Sequence, residues 1–288
     1  LAKFFTTVAL RELQARAGRC REIWKKRGIW IHALRWLKVG TVWAMDFTEA
    51  PTPVDGIYRY ILSVRDLASG YALLALPCEH ADARTVRDAL RALFREHGAP
   101  LVLKNDNGGH FKAEEINDLL AAWGVFNLLS PKETPSYNGA AEAGIGALKT
   151  RAHFEASRND RPGEWTCDDV EAARLLANRT ERRRKPPVES EAGPVPEVPA
   201  STPDQIWYYE REPVTDVDRA LFKQSVQDHE PEARLELGYL PGIELGRDAQ
   251  ESINRIAYSR ALIEGGFLLV RRRRITLPFK AGRKRKIS

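Results

Sequence analysis

Three apolar segments follow one another closely in the first third of the chain and predict three consecutive β-strands. They cover residues 41–48, 57–65 and 70–77. β-branched, aromatic and other apolar residues dominate each segment, as is typical of strands in a sheet. The connection between the last two contains Asp66 and Ser69, residue types that favour tight turns, so we expect a hairpin whose turn is capped by Asp66.

Helical and strand patterns then alternate. Residues 82–97 place apolar side chains at helical spacing, and Gly98-Ala99-Pro100 ends that helix. The elements predicted after it are a strand over 101–105, a helix near 112–123, a strand over 124–129, and helices over 138–157 and 166–185. This order predicts an α/β core built on a mixed five-stranded sheet with helices on its sides.

The chain divides into four predicted segments. Residues 1–40 form a basic arm that is helical over 8–27, and 41–185 form the core. Residues 186–211 are a proline-rich linker that closes with a short helix beginning at Thr202-Pro203. In 212–288 a helix near 250–264, two glycines and a short strand predict a small basic α+β module.

Charge is concentrated at the two ends of the chain. Residues 1–40 hold ten Lys and Arg against two Asp and Glu, and 271–288 hold nine against none, although the whole chain carries only +6. Basic ends around an acidic middle predict that a polyanion is bound mainly by the ends. The alternative is that the last residues are simply a solvated tail.

Composition excludes several other classes of protein. A chain of 288 residues with 43% hydrophobic and 29% charged residues is typical of a globular protein. No apolar run is long enough for a membrane span, so we expect no membrane association. The three cysteines are scattered, which argues against a disulfide framework or zinc finger and favours a cytoplasmic location.

Met45 is the only methionine, so the first residue is either a non-standard start or the beginning of a piece. In the second case we expect an upstream helix-turn-helix that reads DNA sequence.

Three acidic residues stand where carboxylates suit a metal ion. Asp46 interrupts the apolar run T-V-W-A-M-D-F-T, Asp106 ends the strand L-V-L-K-N-D, and Glu142 lies in the first turn of a predicted helix. The gaps between them contain 59 and 35 residues. An acid on a burying strand needs a cation or a hydrogen-bonded partner, and hard divalent ions prefer oxygen ligands. Taken singly, each acid has an ordinary interpretation, as a strand-edge acid, a turn cap or a solvated helix residue.

Four motifs in order carry a family resemblance. They are W-A-M-D-F-T, S-V-R-D-L-A-S-G-Y, N-D-N-G-G-H-F and S-P-K-E-T-P-S-Y-N-G-A-A-E with A-L-K behind it. At these residues the chain resembles the catalytic core of DDE transposases and retroviral-type integrases, closest to insertion-sequence transposases with an integrase core. The resemblance covers roughly residues 41–210.

The resemblance implies a ribonuclease-H-like fold and a two-metal DNA strand-transfer chemistry. Asp46 would bridge two Mg²⁺ ions while Asp106 and Glu142 would each hold one, and Mn²⁺ would substitute. The partners implied are DNA, both element ends and target, and further copies of the chain in a homo-oligomer on DNA, near the nucleoid. The rivals are a metal nuclease of the same fold that only hydrolyses, and a silent transposase-derived DNA-binding protein.

Several further residues are candidates for DNA contact. Lys149 is two helical turns beyond Glu142 on one helix face, and Asn138 is one turn before it. Tyr137 could stack on a splayed base. Each has an equally ordinary alternative as a solvated lysine, a helix cap or a packed loop aromatic. The remaining candidates are the basic residues Arg271, Arg272, Arg273 and Arg274.

The chain also departs from the family pattern. Asn105 and His110 stand where other residue types are usual. Gly144 and Gly146 lie inside the predicted catalytic helix, where each glycine costs about 1 kcal/mol relative to alanine. Glu49, three residues after Asp46, is a weak candidate for an additional metal ligand.

Deleting residues 271–288 should weaken binding to all DNA sequences about equally, because phosphate contacts position a protein without reading bases. It should also flatten the salt dependence, since fewer counterions are released. Gel-shift titrations at several salt concentrations measure both effects. An unchanged salt slope would assign DNA binding to the N-terminal arm instead.

Overall fold

The computed structural model describes residues 29–131, 139–182, 200–240 and 242–275. Two compact units are present. The described part of the smaller unit is a two-stranded sheet that pairs β1 (Ile29–Trp36) with β7 (Leu268–Ile275). The larger unit spans Trp36–Leu268 and contains the other elements of the described residues. The predicted helical arm over 1–40 is therefore wrong for 29–36, which form a strand, and its helix at 8–27 lies outside the described residues.

The larger unit is built on a five-stranded mixed sheet in the order β4-β3-β2-β5-β6. Its strands are β2 (Val42–Val54), β3 (Tyr58–Asp66), β4 (Ala72–Cys78), β5 (Val102–Asn105) and β6 (Phe126–Leu129). The first three are antiparallel neighbours, whereas β5 and β6 run parallel to β2. This is the ribonuclease-H-like arrangement, and the predicted fold class is confirmed.

The helices flank both faces of the sheet. They are α1 (Ala83–His97), α2 (Glu114–Ala122), α3 (Gly139–Arg158), α4 (Cys167–Arg179), α5 (Pro203–Glu210), α6 (Asp216–Glu236) and α7 (Arg247–Glu264), with a 3₁₀ turn at Gly109–Phe111. Local signals explain several ends. Asp82 caps α1, Gly98 ends it with φ 73°, and Thr202 caps α5 in a capping box.

Alternation along β2 assigns its side chains to the two faces. Trp43 and Met45 enter the core shared with α1, α2 and α5, where Trp207 stacks on Tyr71 at 5.0 Å. Val42 points to the opposite face. On that face α3 and α4 cover one part of the sheet and α6 and α7 cover another. The result is a three-layer α/β/α unit.

Helix α6 was not predicted, although Thr215 and Asp218 form a capping box at its start that the sequence displays. Both α6 and α7 pack on the sheet through Phe222 and Ala257, within the larger unit. The predicted linker over 186–211 falls largely outside the described residues.

Asp66 caps the β3–β4 turn as predicted. Its carboxylate accepts hydrogen bonds from the backbone N–H and the hydroxyl of Ser69, at 2.7 and 2.6 Å, and from Gly40 N–H at 2.9 Å. Cys78 and Cys167 are free thiols. None of the helices in the described ranges is long and apolar enough to cross a membrane.

Arg219 attaches α6 to the core by donating to three backbone carbonyls. Its guanidinium bonds Pro100 O at 2.8 Å, Gly124 O at 3.0 Å and Ala99 O at 2.7 Å. One side chain therefore ties α6 to the two loops that precede β5 and β6.

Arg219→Met should lower the free energy of unfolding by about 2–4 kcal/mol, because charge-assisted hydrogen bonds are strong and three carbonyls lose a donor. Denaturant unfolding measures the change. Lys223→Met, an exposed position one turn further along α6, is the matched control and should change stability by less than about 0.5 kcal/mol. Equal losses in the two variants would contradict this role for Arg219.

Candidate active site

Asp46 lies near the middle of β2, on the face opposite the Trp43 and Met45 core. It pairs with Ser63 of β3 in the antiparallel ladder and is partly buried. Successive side chains of a strand point to opposite faces of the sheet. Asp46 and Ala44 are two residues apart, so both side chains lie on the face that α3 covers. The strand therefore presents one acid on an otherwise burying surface, as its sequence predicts.

Asp106 follows the last residue of β5. Parallel pairing places Lys104 of β5 opposite Ala44 of β2, so Asp106 lies next to Asp46 two residues further along both strands. The Asp106 carboxylate accepts a hydrogen bond from Gly108 N–H at 2.8 Å, which turns the chain sharply after the strand. The side chain of Asn107 donates to Ser130 O and fixes the loop to the end of β6.

Glu142 is exposed in the first turn of α3. Buried Ala141 and Leu148 face the sheet from the same helix, so α3 lies directly on the face that carries Asp46. A strand, a strand end and a helix thus deliver the three predicted acids to one region.

The electrostatics of Asp46 report this convergence. The pKa of Asp46 is raised to about 6, with burial as the largest cause and the negative charges of Asp106 and Glu142 adding to it. A backbone hydrogen bond from Phe47 and the positive charge of Lys104 oppose the rise. Neighbouring negative charges disfavour the ionised form of a carboxyl, so the electrostatics relate Asp46 to both of the other acids.

Lys104 is a site residue that the sequence interpretation did not single out. It is buried within β5, and its pKa is lowered to about 8. Burial is the cause of the lowering, and the negative charges of Asp46 and Glu142 oppose it. A lysine inside the apolar run L-V-L-K-N-D was the available signal, since a buried lysine needs nearby negative charge.

Within the described residues, no three His, Cys, Asp or Glu side chains stand close enough to form a ready-made metal site. The donor chemistry of the three predicted acids nevertheless fits a hard divalent ion, because carboxylate oxygens are the ligands that such ions prefer. The role of Asp46, Asp106 and Glu142 as ligands of such an ion stays a prediction.

The other predicted residues have different outcomes. Lys149 lies on α3 and is partly exposed. Tyr137 and Asn138 lie outside the described residues. Arg271 and its three basic neighbours belong to β7, so a deletion that begins at residue 276 would test the tail without removing this strand. Their contact with DNA stays a prediction.

The departures from the family pattern have local explanations. The Asn105 amide donates to the Asn127 side chain at 3.0 Å and so joins β5 to β6. The His110 ring packs edge-on against Phe47 at 4.8 Å. Glu49 is exposed and bonds Arg59 at 3.4 Å, which gives the spare acid a partner away from the site.

Comparison with known proteins relates part of the chain to one family of domains. Residues 37–135 match the family model described as Integrase core domain, a stretch that contains Asp46 and Asp106 and ends before Glu142. The Gag-Pol polyprotein of feline leukemia virus is 33% identical over 125 residues, which is 42% of this chain and 7% of that polyprotein. Residues 37–135 are therefore similar to an integrase core domain, and the chain spans only a small part of the retroviral polyprotein that it matches.

Solved structures with a similar fold are also integrases. The intasome of simian T-cell lymphotropic virus is 18% identical with a TM-score of 0.49, over 62% of this chain and 58% of that one. The catalytic core of HTLV-2 integrase with magnesium, in a trimeric form, is 18% identical with a TM-score of 0.42, over 50% and 89%. The BIV integrase core is 20% identical with a TM-score of 0.42, over 58% and 93%.

Asp106→Asn should stabilise the metal-free protein at neutral pH. A carboxyl whose pKa rises from 3.8 to about 6 on folding costs ~3 kcal/mol once ionised. That cost appears as the pH rises from about 4 to about 6 and is complete above that range. Removing the Asp106 charge relieves part of it, while the amide still accepts from Gly108.

Denaturant unfolding in the presence of a chelator should show a gain of about 1 kcal/mol near pH 7.5 that fades near pH 4. Glu49→Gln on the same strand is the control and should show no such pH dependence. A gain of equal size at both pH values would mean that Asp106 does not act on Asp46 through its charge.

Proposed function

We propose that the protein is a DNA transposase or integrase that cleaves DNA strands and joins them, with divalent metal ions held by Asp46, Asp106 and Glu142. The observation that carries this proposal is the placement of the three acids on neighbouring elements: Asp46 on β2, Asp106 at the end of the adjacent β5, and Glu142 in the first turn of α3. The integrase core match over 37–135 supports the class of reaction.

The three carboxylates come from rigid elements that fix where the reacting phosphate would lie. Divalent ions held by these residues would supply the activation of an attacking oxygen and the stabilisation of a leaving oxygen. Asp46, Asp106 and Glu142 would hold the Mg²⁺ ions, with Asp46 on the central strand of the sheet. The attacking oxygen would belong to water for cleavage and to a DNA 3′-hydroxyl for strand transfer.

The charge balance of the site explains why a cation is required before DNA can react. Three acids repel a phosphodiester, and buried Lys104 supplies only one opposing charge. Metal binding would reverse this local repulsion. Basic residues elsewhere would then hold the DNA backbone, with Lys149 a candidate on the helix that carries Glu142.

Assembly into a homo-oligomer on DNA is part of the proposal. An intasome and a trimeric integrase core are among the proteins of similar fold. For this chain, the active complex would bring more than one copy to paired DNA ends.

Asp46→Asn, Asp106→Asn and Glu142→Gln should each reduce strand cleavage more than about a hundredfold, beyond the loss typical of residues that only support a ligand. DNA affinity should change little, because each amide keeps the shape and loses only the metal-binding charge. Magnesium or manganese should support cleavage and calcium should not.

Cleavage and joining of labelled DNA duplexes measure both steps. Glu49→Gln, three residues beyond Asp46 on β2, is the matched control and should retain activity. Retained cleavage in any of the three site variants would remove that residue from the metal site. Cleavage without joining in the unaltered protein would favour a nuclease.

A further inference from the structure

Arg65 connects the first turn of α3 to the β3–β4 turn. Its Nη1 donates to Ala140 O at 3.2 Å, and its Nη2 donates to Gly70 O at 3.1 Å. The Nε atom has no hydrogen-bond partner among the described residues, so the two terminal nitrogens make these contacts. One planar guanidinium thus fixes the distance between a helix and a hairpin.

Gly144 makes this contact possible. A Cβ added at Gly144 would lie 1.7 Å from Arg65 Nη1 and 2.7 Å from Arg65 Cζ, so no side chain fits there while Arg65 keeps its position. In an α-helix the carbonyl of residue 140 faces the amide of residue 144. A guanidinium that reaches Ala140 O must therefore pass over Gly144.

The second glycine of the helix is different. Gly146 is exposed, and a Cβ added there would meet nothing within 4 Å. Both glycines lower the intrinsic stability of the helix, but only at Gly144 would a larger side chain collide with another residue.

The position of this contact connects it to the candidate site. Arg65 pairs with Ala44 in the β2–β3 ladder, and the next pair on the same face is Ser63 with Asp46. Glu142 lies between Ala140 and Gly144 in the sequence. The contact of Arg65 with these two helix residues therefore fixes the position of Glu142 relative to Asp46.

We propose that Arg65 and Gly144 act together as positioning residues that hold the first turn of α3, and with it Glu142, over Asp46. This inference rests on the proposed function for its catalytic meaning, since Glu142 matters there as a metal ligand. It explains why a helix that carries a ligand contains a glycine in its second turn.

Amide hydrogen exchange of the metal-free protein tests the positioning directly. Arg65→Ala and Gly144→Ala should each accelerate exchange in residues 139–145 by up to roughly tenfold, because the turn loses a hydrogen bond that ties it to the sheet. Gly146→Ala is the matched control and should leave exchange unchanged or slow it, since alanine favours the helix.

The double variant decides whether the two residues act together. Once Arg65 is truncated, Gly144→Ala has nothing to collide with and should cause no further acceleration. Additive effects, or unchanged exchange in Arg65→Ala, would overturn the proposal. If Arg65→Ala does not fold, Arg65→Lys keeps the charge but cannot bridge both carbonyls, and the same outcomes apply to it.

Binding of Mn²⁺, followed by electron paramagnetic resonance, gives the link to the site. Affinity should fall about tenfold in Arg65→Ala and Gly144→Ala and stay unchanged in Gly146→Ala. Unchanged affinity in the first two variants would overturn the link to Glu142. If the unaltered protein binds no Mn²⁺ that depends on Glu142, the metal-site proposal fails, and hydrogen exchange still decides whether Arg65 positions the helix.

Discussion

Strand β2 has to serve both faces of the sheet, and this constraint determines where the chemistry can be. On one side Trp43 and Met45 fill the main core. Because side chains alternate along the strand, Asp46 points to the other face, where α3 packs on the sheet. Parallel pairing with β5 then brings Asp106 beside it. A shift of one residue in either alternation or pairing would send the two acids to different faces.

The cost of this arrangement is visible in the same residues. Asp46 is held partly buried near two other acids, which favours its protonated form, and Lys104 offsets only part of the repulsion. A protein under selection for stability alone would not keep such a cluster, because substituting one acid would relieve it. Electrostatic repulsion of this kind is expected at a site where a bound cation would neutralise the negative charges.

Much of this organisation was predictable from the sequence, because it depends on local patterns. The five strands of the sheet and the helix that carries Glu142 follow from periodicity and turn residues, as does the cap made by Asp66. Other features were hidden because they depend on contacts between distant segments. Arg65 and Gly144 are 79 positions apart in the printed sequence, and nothing local shows that they touch. Lys104 could have been found, since a charge within an apolar strand is a local signal.

The helix α6 and the strand β1 were missed for different reasons. Helix α6 begins at a capping box formed by Thr215 and Asp218, which is a local signal that is visible in the sequence. Strand β1 pairs with β7, more than two hundred residues away in the chain, and its basic residues resemble those of a solvated arm. Pairing over such a distance leaves no pattern within either segment.

The most direct test of the central claim is a crystal structure of the protein with Mn²⁺, using anomalous scattering to locate the ions. The account predicts density between the carboxylates of Asp46 and Asp106, with Glu142 drawn in as a ligand and two ions roughly 3.5–4 Å apart when DNA is bound. Manganese bound elsewhere, with these three carboxylates still separate, would contradict it.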